Sequence, residues 1–243
     1  MIGIVVPAHN EEALVRDCLR SLKEAASHPA LAGEPVEIVV VLDSCTDATG
    51  VIANASGATT LSIRACNVGM ARAVGAQLLI LRGARWLAFT DADTVVSPSW
   101  LADQLSLQAD VVCGTVGVAD WTPHGRHAAL LASHFMQTYN DDHGHSHVHG
   151  ANLGVSTEAY RRVGGFRHLA CSEDVALVDA LVASGASVAW SAKPRVTTSA
   201  RKDARAVGGF ADALLHAVAQ RLEAASQPLF LPAPALQSPD FAA

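Results

Sequence analysis

An α/β fold, a mostly parallel sheet flanked by helices with a more irregular second half, is what this sequence predicts, on three observations. Short apolar runs recur along the chain, and each is followed by a polar segment and then by a helix-periodic stripe. Strands alternating with helices at this spacing imply right-handed crossovers and a parallel sheet. Half of the 243 residues are hydrophobic and only 16% are charged, as a sheet buried on both faces requires.

The elements follow in order. Residues 3–7 (Gly-Ile-Val-Val-Pro) form a short buried strand, and Ala8-His9-Asn10-Glu11-Glu12 is the loop out of it. In the helix that follows, Leu14, Cys18 and Leu22 fall on one stripe, with Val15 and Leu19 beside them. Residues 36–42 make a second strand that ends at Asp43, and Ser44-Cys45-Thr46-Asp47 starts a helix that Thr46 or Asp47 can cap. Residues 61–64 are a third strand. Asn67-Val68-Gly69 then opens a helix carrying Val74, Leu78 and Leu81. The next strand runs from Leu87 toward Thr90-Asp91-Ala92-Asp93. If it continues through them, both aspartates share one face. Ser97-Pro98-Ser99 reads as a helix start.

The second half predicts a strand over 110–118, a helix over 126–139 and a polar, histidine-rich segment over 140–149. Gly150-Ala151-Asn152-Leu153 follows, and Gly164-Gly165-Phe166 makes a turn. Ser172-Glu173-Asp174 leads a helix with Val175, Val178, Leu181 and Val182 on one side, and residues 187–190 form a late strand. After that strand, Thr197 to Lys202 with Arg205 and Gly208-Gly209-Phe210 reads as a loop of hydroxyls and cations suited to a diphosphate. The expected division is one domain over 1–226, in halves 1–97 and 98–226, with a Pro- and Ala-rich tail over 227–243.

A net charge of −6 offers no general attraction to nucleic acid or to an anionic membrane surface. Five scattered cysteines without a C-x-x-C pair suit reduced thiols in a cytoplasmic protein. No transmembrane segment is expected, because the longest candidate, 74–89, is broken by Gln77, Arg82, Gly83 and Arg85. The absence of G-x-G-x-x-G and Walker sequences argues against dinucleotide and P-loop chemistry. Asp91 and Asp93, one residue apart at a strand end, repel each other unless a hard divalent cation sits between them. The plain alternative is a turn into the following helix.

Four stretches occur in order: Val5-Val6-Pro7-Ala8-His9-Asn10-Glu11-Glu12, Val41-Leu42-Asp43-Ser44-Cys45-Thr46-Asp47, Asn67-Val68-Gly69-Met70-Ala71-Arg72 and Thr90-Asp91-Ala92-Asp93. Together they resemble a family 2 glycosyltransferase of the Rossmann-like GT-A fold, over most of the chain to about residue 190. The resemblance implies a nucleotide-diphospho-sugar donor, a small-molecule or lipid-linked hydroxyl acceptor and a divalent cation, Mn²⁺ or Mg²⁺. It places Pro7, His9 and Glu11 beside the nucleoside, Asp43 on the base or ribose, and Asn67 and Arg72 near the nucleotide. Asp91 falls near the ribose or donor sugar and Asp93 becomes the principal metal ligand. Gly150, Ala151 and Asn152 match the acceptor-side turn. Glu173 and Asp174 match the Glu-Asp pair whose aspartate is the base of inverting members. Arg201, by its position in the late loop, is expected to close on the donor.

Leu42 stands where the family often has a second aspartate, and the Gln-x-x-Arg-Trp signature of processive synthases is missing, which favours transfer of a single sugar. His143, His145, His147 and His149 alternate. On a strand they would share a face and bind zinc; otherwise they belong to a polar acceptor loop, with His149 closest to substrate or to the active-site metal. A nucleotidyltransferase on a related sheet, or a non-catalytic sugar-nucleotide- or zinc-binding protein, are the rival readings.

Overall fold

The computed structural model describes residues 1–201. Eight strands form one sheet in the order β3-β2-β1-β4-β7-β6-β8-β5: β1 (Ile2–Ala8), β2 (Val36–Asp43), β3 (Thr59–Ile63), β4 (Trp86–Phe89), β5 (Val95–Val96), β6 (Val111–Val118), β7 (Leu153–Ser156) and β8 (Val188–Thr198). Seven α-helices flank it: α1 (Val15–Ala26), α2 (Thr49–Ala55), α3 (Val68–Leu81), α4 (Trp100–Ser106), α5 (Ala128–Thr138), α6 (Thr157–Arg162) and α7 (Glu173–Ala183).

β1 is the axis of the first half. It pairs in parallel with β2 on one side and β4 on the other, and all but one of its residues are buried. Its Val, Ile and Ala side chains pack on both faces. Ile4 and Val6 join α1 and α4 in one apolar cluster, and Val5 joins α3 and α7 in another. Because β1, β2 and β4 run the same way, their C-terminal ends, at Ala8, Asp43 and Phe89, open along one edge of the sheet. Ligands of open parallel sheets bind at that edge.

The second half inserts an antiparallel strand. β7 runs against both β4 and β6, while β8 runs with β6 and against β5. The pairing Val95↔Thr197 and Val96↔Val196 carries the end of β8 back beside Asp93.

Several elements differ from expectation. β4 stops at Phe89, so Asp91 and Asp93 lie in a turn closed by the Thr94 N–H on the Asp91 carbonyl, 3.1 Å. α2 begins at Thr49, four to five residues beyond Ser44 and Cys45, because Asp47 Oδ1 accepts from both the N–H and hydroxyl of Thr49. β8 extends through Thr198, so Thr197 and Thr198 are strand and not loop. On α7, Leu177, Val178 and Leu181 face the core, while Val175 and Val182 are 40% and 52% exposed. β7 and α6 were not foreseen, both being too short to show a period. Lys202, Arg205, residues 208–210 and the 227–243 tail lie outside the described residues.

Candidate active site

The loops at the open edge are tied to one another before any ligand arrives. Glu11 N–H donates to Thr49 Oγ1 (2.7 Å), Glu12 N–H to Asp47 Oδ2 (3.0 Å), and Ala48 N–H to Glu12 Oε2 (2.9 Å). Asn10 Oδ1 accepts from the Thr46 N–H (2.8 Å), and His9 Nδ1 bonds the Asp43 carbonyl (2.7 Å). Asn10, Ser44, Cys66 and Ser172 all hold positive φ, between 47° and 57°, where each non-glycine residue costs roughly 1 kcal/mol. All four lie in the loops that link these elements.

Two guanidinium groups organise its acids. Arg72, on α3, is 3% exposed and bridges Asp91 Oδ1, at 2.6 Å, and the buried Glu173 carboxylate at the start of α7. Arg201 Nη1 meets both Glu11 oxygens at 2.6 and 2.8 Å, and its Nη2 lies 2.9 Å from Asp93 Oδ2. Burial pushes the Asp93 carboxyl up to about 6; Arg201 resists the shift, and the Asp91 and Glu11 charges add to it. The same three acids raise the Cys18 thiol beneath them, after burial itself. Four carboxylates (Glu11, Asp91, Asp93, Glu173) thus share two cations. This excess of negative charge fits a further cation. Among the described residues no three His, Cys, Asp or Glu side chains converge to hold one alone. A hard cation of the Mg²⁺ type needs only one or two carboxylates when diphosphate oxygens complete its shell.

On the other side of Arg72, the Asp174 carboxylate is partly exposed and held by the Gly150 N–H on Oδ2 at 2.7 Å. Gly150 has to be glycine, because a Cβ there would stand 2.1 Å from Arg72 Nη1. His149 Nε2 lies 2.9 Å from the Tyr139 hydroxyl, which also accepts from the Val116 N–H at 2.9 Å. Burial, then the neighbouring His147, pushes the His149 imidazole down to about 4.

The expected residues therefore gather at one edge, but several hold other posts. Asp43 is 4% exposed and its carboxylate accepts from the N–H groups of Ala65 and Cys66 and from Ser44 Oγ on Oδ1, and from the Asn67 N–H on Oδ2. Burial works against its charge, and those N–H donors outweigh it and hold its pKa low. These bonds tie Asp43 to the loop that leads into α3. Asn67 caps α3 through the Met70 N–H, 2.8 Å, and its amide N–H donates to the His168 carbonyl, 3.2 Å. Arg72 and Glu173 are tied to each other, and Arg72 to Asp91 as well. Asn152 is fully buried, its amide spent on Trp100 Nε1 and the Thr115 and Pro194 carbonyls, and Ala151 is core, which leaves Gly150 alone of that turn at the site.

The histidines do not form a strand. The rings of His145, His147 and His149 stack at 5.5 and 5.8 Å, with His147 4.3 Å from Tyr139, and His143 Nδ1 bonds Ser191 Oγ. Tyr139 is the residue that sequence reasoning passed over. Its signal, an aromatic ending the helix just before the histidine run, is visible only in hindsight. A cavity of about 700 Å³ lies one strand outward, lined among others by Ser44, Cys45, Ile63 and Arg64, and does not coincide with the carboxylates.

An eight-stranded α/β sheet of this order, with paired acids beyond its parallel strands, has the architecture of the GT-A glycosyltransferases. The family model described as glycosyl transferase family 2 matches residues 3–164, and the chain belongs to that family and is a glycosyltransferase. No curated protein matches the chain. Similar solved structures include Staphylococcus aureus TarS 1-349 in complex with UDP-GlcNAc (TM-score 0.62, 15% identity, 93% of this chain and 68% of that one). The full TarS structure is spanned over only 36% of its length. The mannosyltransferase PcManGT of Pyrobaculum calidifontis, with GDP-Man and Mn²⁺, gives 0.59 at 19% identity over 95% of this chain and 66% of that one. Glucosyl-3-phosphoglycerate synthase of Mycobacterium tuberculosis, with Mn²⁺ and UDP-glucose, gives 0.56 at 18% over 94% and 80%. At such identities the likeness is one of fold. No helix among the described residues is long and apolar enough to cross a membrane.

Proposed function

We propose that this glycosyltransferase moves one sugar from a nucleotide-diphosphate donor to a hydroxyl acceptor, small or lipid-linked, in a divalent-metal-dependent reaction that inverts the anomeric centre. The observation that carries the reading is the Asp93 carboxylate, buried beside Glu11 and Asp91 and already holding a cationic side chain. Complexes of the similar mannosyltransferase and synthase with Mn²⁺ and a nucleotide sugar support it.

In this reading Pro7, His9 and the Glu11 loop border the nucleoside. Asp93, with Asp91 beside it, holds Mn²⁺ or Mg²⁺, which when bound neutralises charge on the leaving diphosphate. Arg201, poised on the same acids, supplies a cationic side chain for the diphosphate. Displacement at C1 transfers the sugar to the incoming hydroxyl oxygen while the bond to the diphosphate oxygen breaks. The hydroxyl proton goes to Asp174, which its Gly150 hydrogen bond orients.

Melting temperatures and nucleoside diphosphate release are to be measured with UDP-glucose, UDP-GlcNAc and GDP-mannose, with Mn²⁺ or with chelator. A donor that stabilises the protein and turns over only with metal is expected. Full turnover in chelator defeats the metal assignment, and binding without any turnover favours a sugar-nucleotide-binding role.

A further inference from the structure

The Tyr139 hydroxyl lies between two nitrogens, Val116 N at 2.9 Å and His149 Nε2 at 2.9 Å. A backbone N–H can only donate, so Val116 fills one of the oxygen's acceptor positions. The hydroxyl's own proton remains, and among the described residues His149 Nε2 is the acceptor within its reach. If Nε2 carried the imidazole proton, two N–H groups would point at one oxygen and the half-buried O–H would be left without a partner, which is unfavourable. Burial keeps the ring neutral, as its lowered pKa of about 4 indicates, so its single proton must then sit on Nδ1. No hydrogen bond among the described residues uses that Nδ1–H.

The ring is held where such a donor matters. His149 directly precedes Gly150, whose N–H orients Asp174 and whose Cα backs onto the Arg72 guanidinium. It stacks on His147, which in turn lies nearly parallel to the Tyr139 ring, 7° between planes. Tyr139 is clamped from its other face by Phe135 at 4.5 Å.

We propose that His149 meets the acceptor as a hydrogen-bond donor through Nδ1–H, and that Tyr139 is the positioning residue that fixes this tautomer. The inference rests on the acceptor-side reading of Asp174. An acceptor hydroxyl whose proton points at Asp174 keeps a lone pair for Nδ1–H, so the two side chains hold one oxygen from two directions. In this tautomer His149 is neither a base nor a metal ligand, since the nitrogen it presents already bears a proton.

Nitrogen-15 spectra of the histidine-labelled protein at pH 7.5 read the tautomer directly, with His149→Gln assigning the signal. The expected result is an Nδ1-protonated ring in the unmodified protein. Tyr139→Phe, which keeps the stack but removes the O–H, is expected to turn it to the Nε2-protonated form. An Nε2-protonated ring in the unmodified protein, or a tautomer indifferent to Tyr139→Phe, overturns the inference. In nucleoside diphosphate release from the donor that the enzyme turns over, His149→Asn, whose amide N–H lies near the Nδ1 position, is expected to stay within about threefold. His149→Gln, whose amide reaches the Nε2 position instead, is expected to lose about five- to tenfold, which corresponds to one hydrogen bond of roughly 1–1.4 kcal/mol. Equal losses in both remove the donor role. Asp174→Asn separates the two readings: undiminished turnover there overturns the base assignment, while the His149 tautomer is read independently of it.

Discussion

At one end of the crevice four carboxylates share Arg72 and Arg201, whereas at the other the polar atoms belong to a ring stack of Tyr139, His147 and the neutral His149. Both ends bury polar groups, and they meet the desolvation cost by different means. The charged end is satisfied only by opposite charge, so losing one partner leaves an ion buried alone. The neutral end is satisfied by hydrogen bonds and ring contacts, so it is undone by protonation and not by loss of a counter-ion. The first arrangement suits a site that receives a cation and a diphosphate. The second suits one that receives an uncharged hydroxyl.

Breaking the charged end should have the largest effects. Asp93→Ala is expected to abolish the Mn²⁺-dependent part of donor binding in calorimetry, and a Mn²⁺-dependent gain in donor affinity that survives in the variant would reassign the ligand. Asp174→Asn should leave donor binding intact while turnover falls about 10²–10⁴-fold, the usual contribution of a general base. Arg72→Met should cost about 3–5 kcal/mol in urea unfolding, because Glu173 stays buried without its partner. A loss below about 1 kcal/mol would mean that water reaches Glu173 and that the bridge from α3 to α7 is not structural.

The two ends were also unequally legible in the sequence. β1, β2 and α3 could be read from apolar runs and stripes because parallel strands buried on both faces are continuous in sequence. The acids Asp91 and Asp93 could be found because they interrupt such a run at a strand end, whereas Asp174 stood out only through the family resemblance. What each acid does could not be read so well. Asp43 sits in the same kind of position as Asp93, yet its four donors come from Ser44 and from a loop more than twenty residues away. Asn152 looked like a surface turn residue until β7, too short to show alternation, carried it under Trp100. The histidines alternate as a strand would, but ring stacking on Tyr139 sets their arrangement, and stacking leaves no periodic trace.

The neutral end yields the smallest expected effect, and it turns on sign. His149 has a pKa of about 4 in the folded chain against 6.5 when unperturbed, with burial the first cause and His147 the second. Between those values the unfolded chain binds the proton and the folded one does not. Stability from this group is therefore complete above about pH 6.5 and is lost as pH falls toward 4. From pH 7 to pH 5 the loss should be about 1–2 kcal/mol. Asp93 acts in the opposite direction below about 6, since its raised pKa makes the folded chain the better proton binder there. The His149 contribution has to be read as a difference, urea stability of the unmodified protein minus that of His149→Gln at each pH. That difference should shrink on acidification, while the same subtraction with Asp93→Asn should grow. If the His149 difference is flat from pH 7 to 5, the imidazole is solvated in both states, and the stack no longer stands as the neutral counterpart of the paired acids.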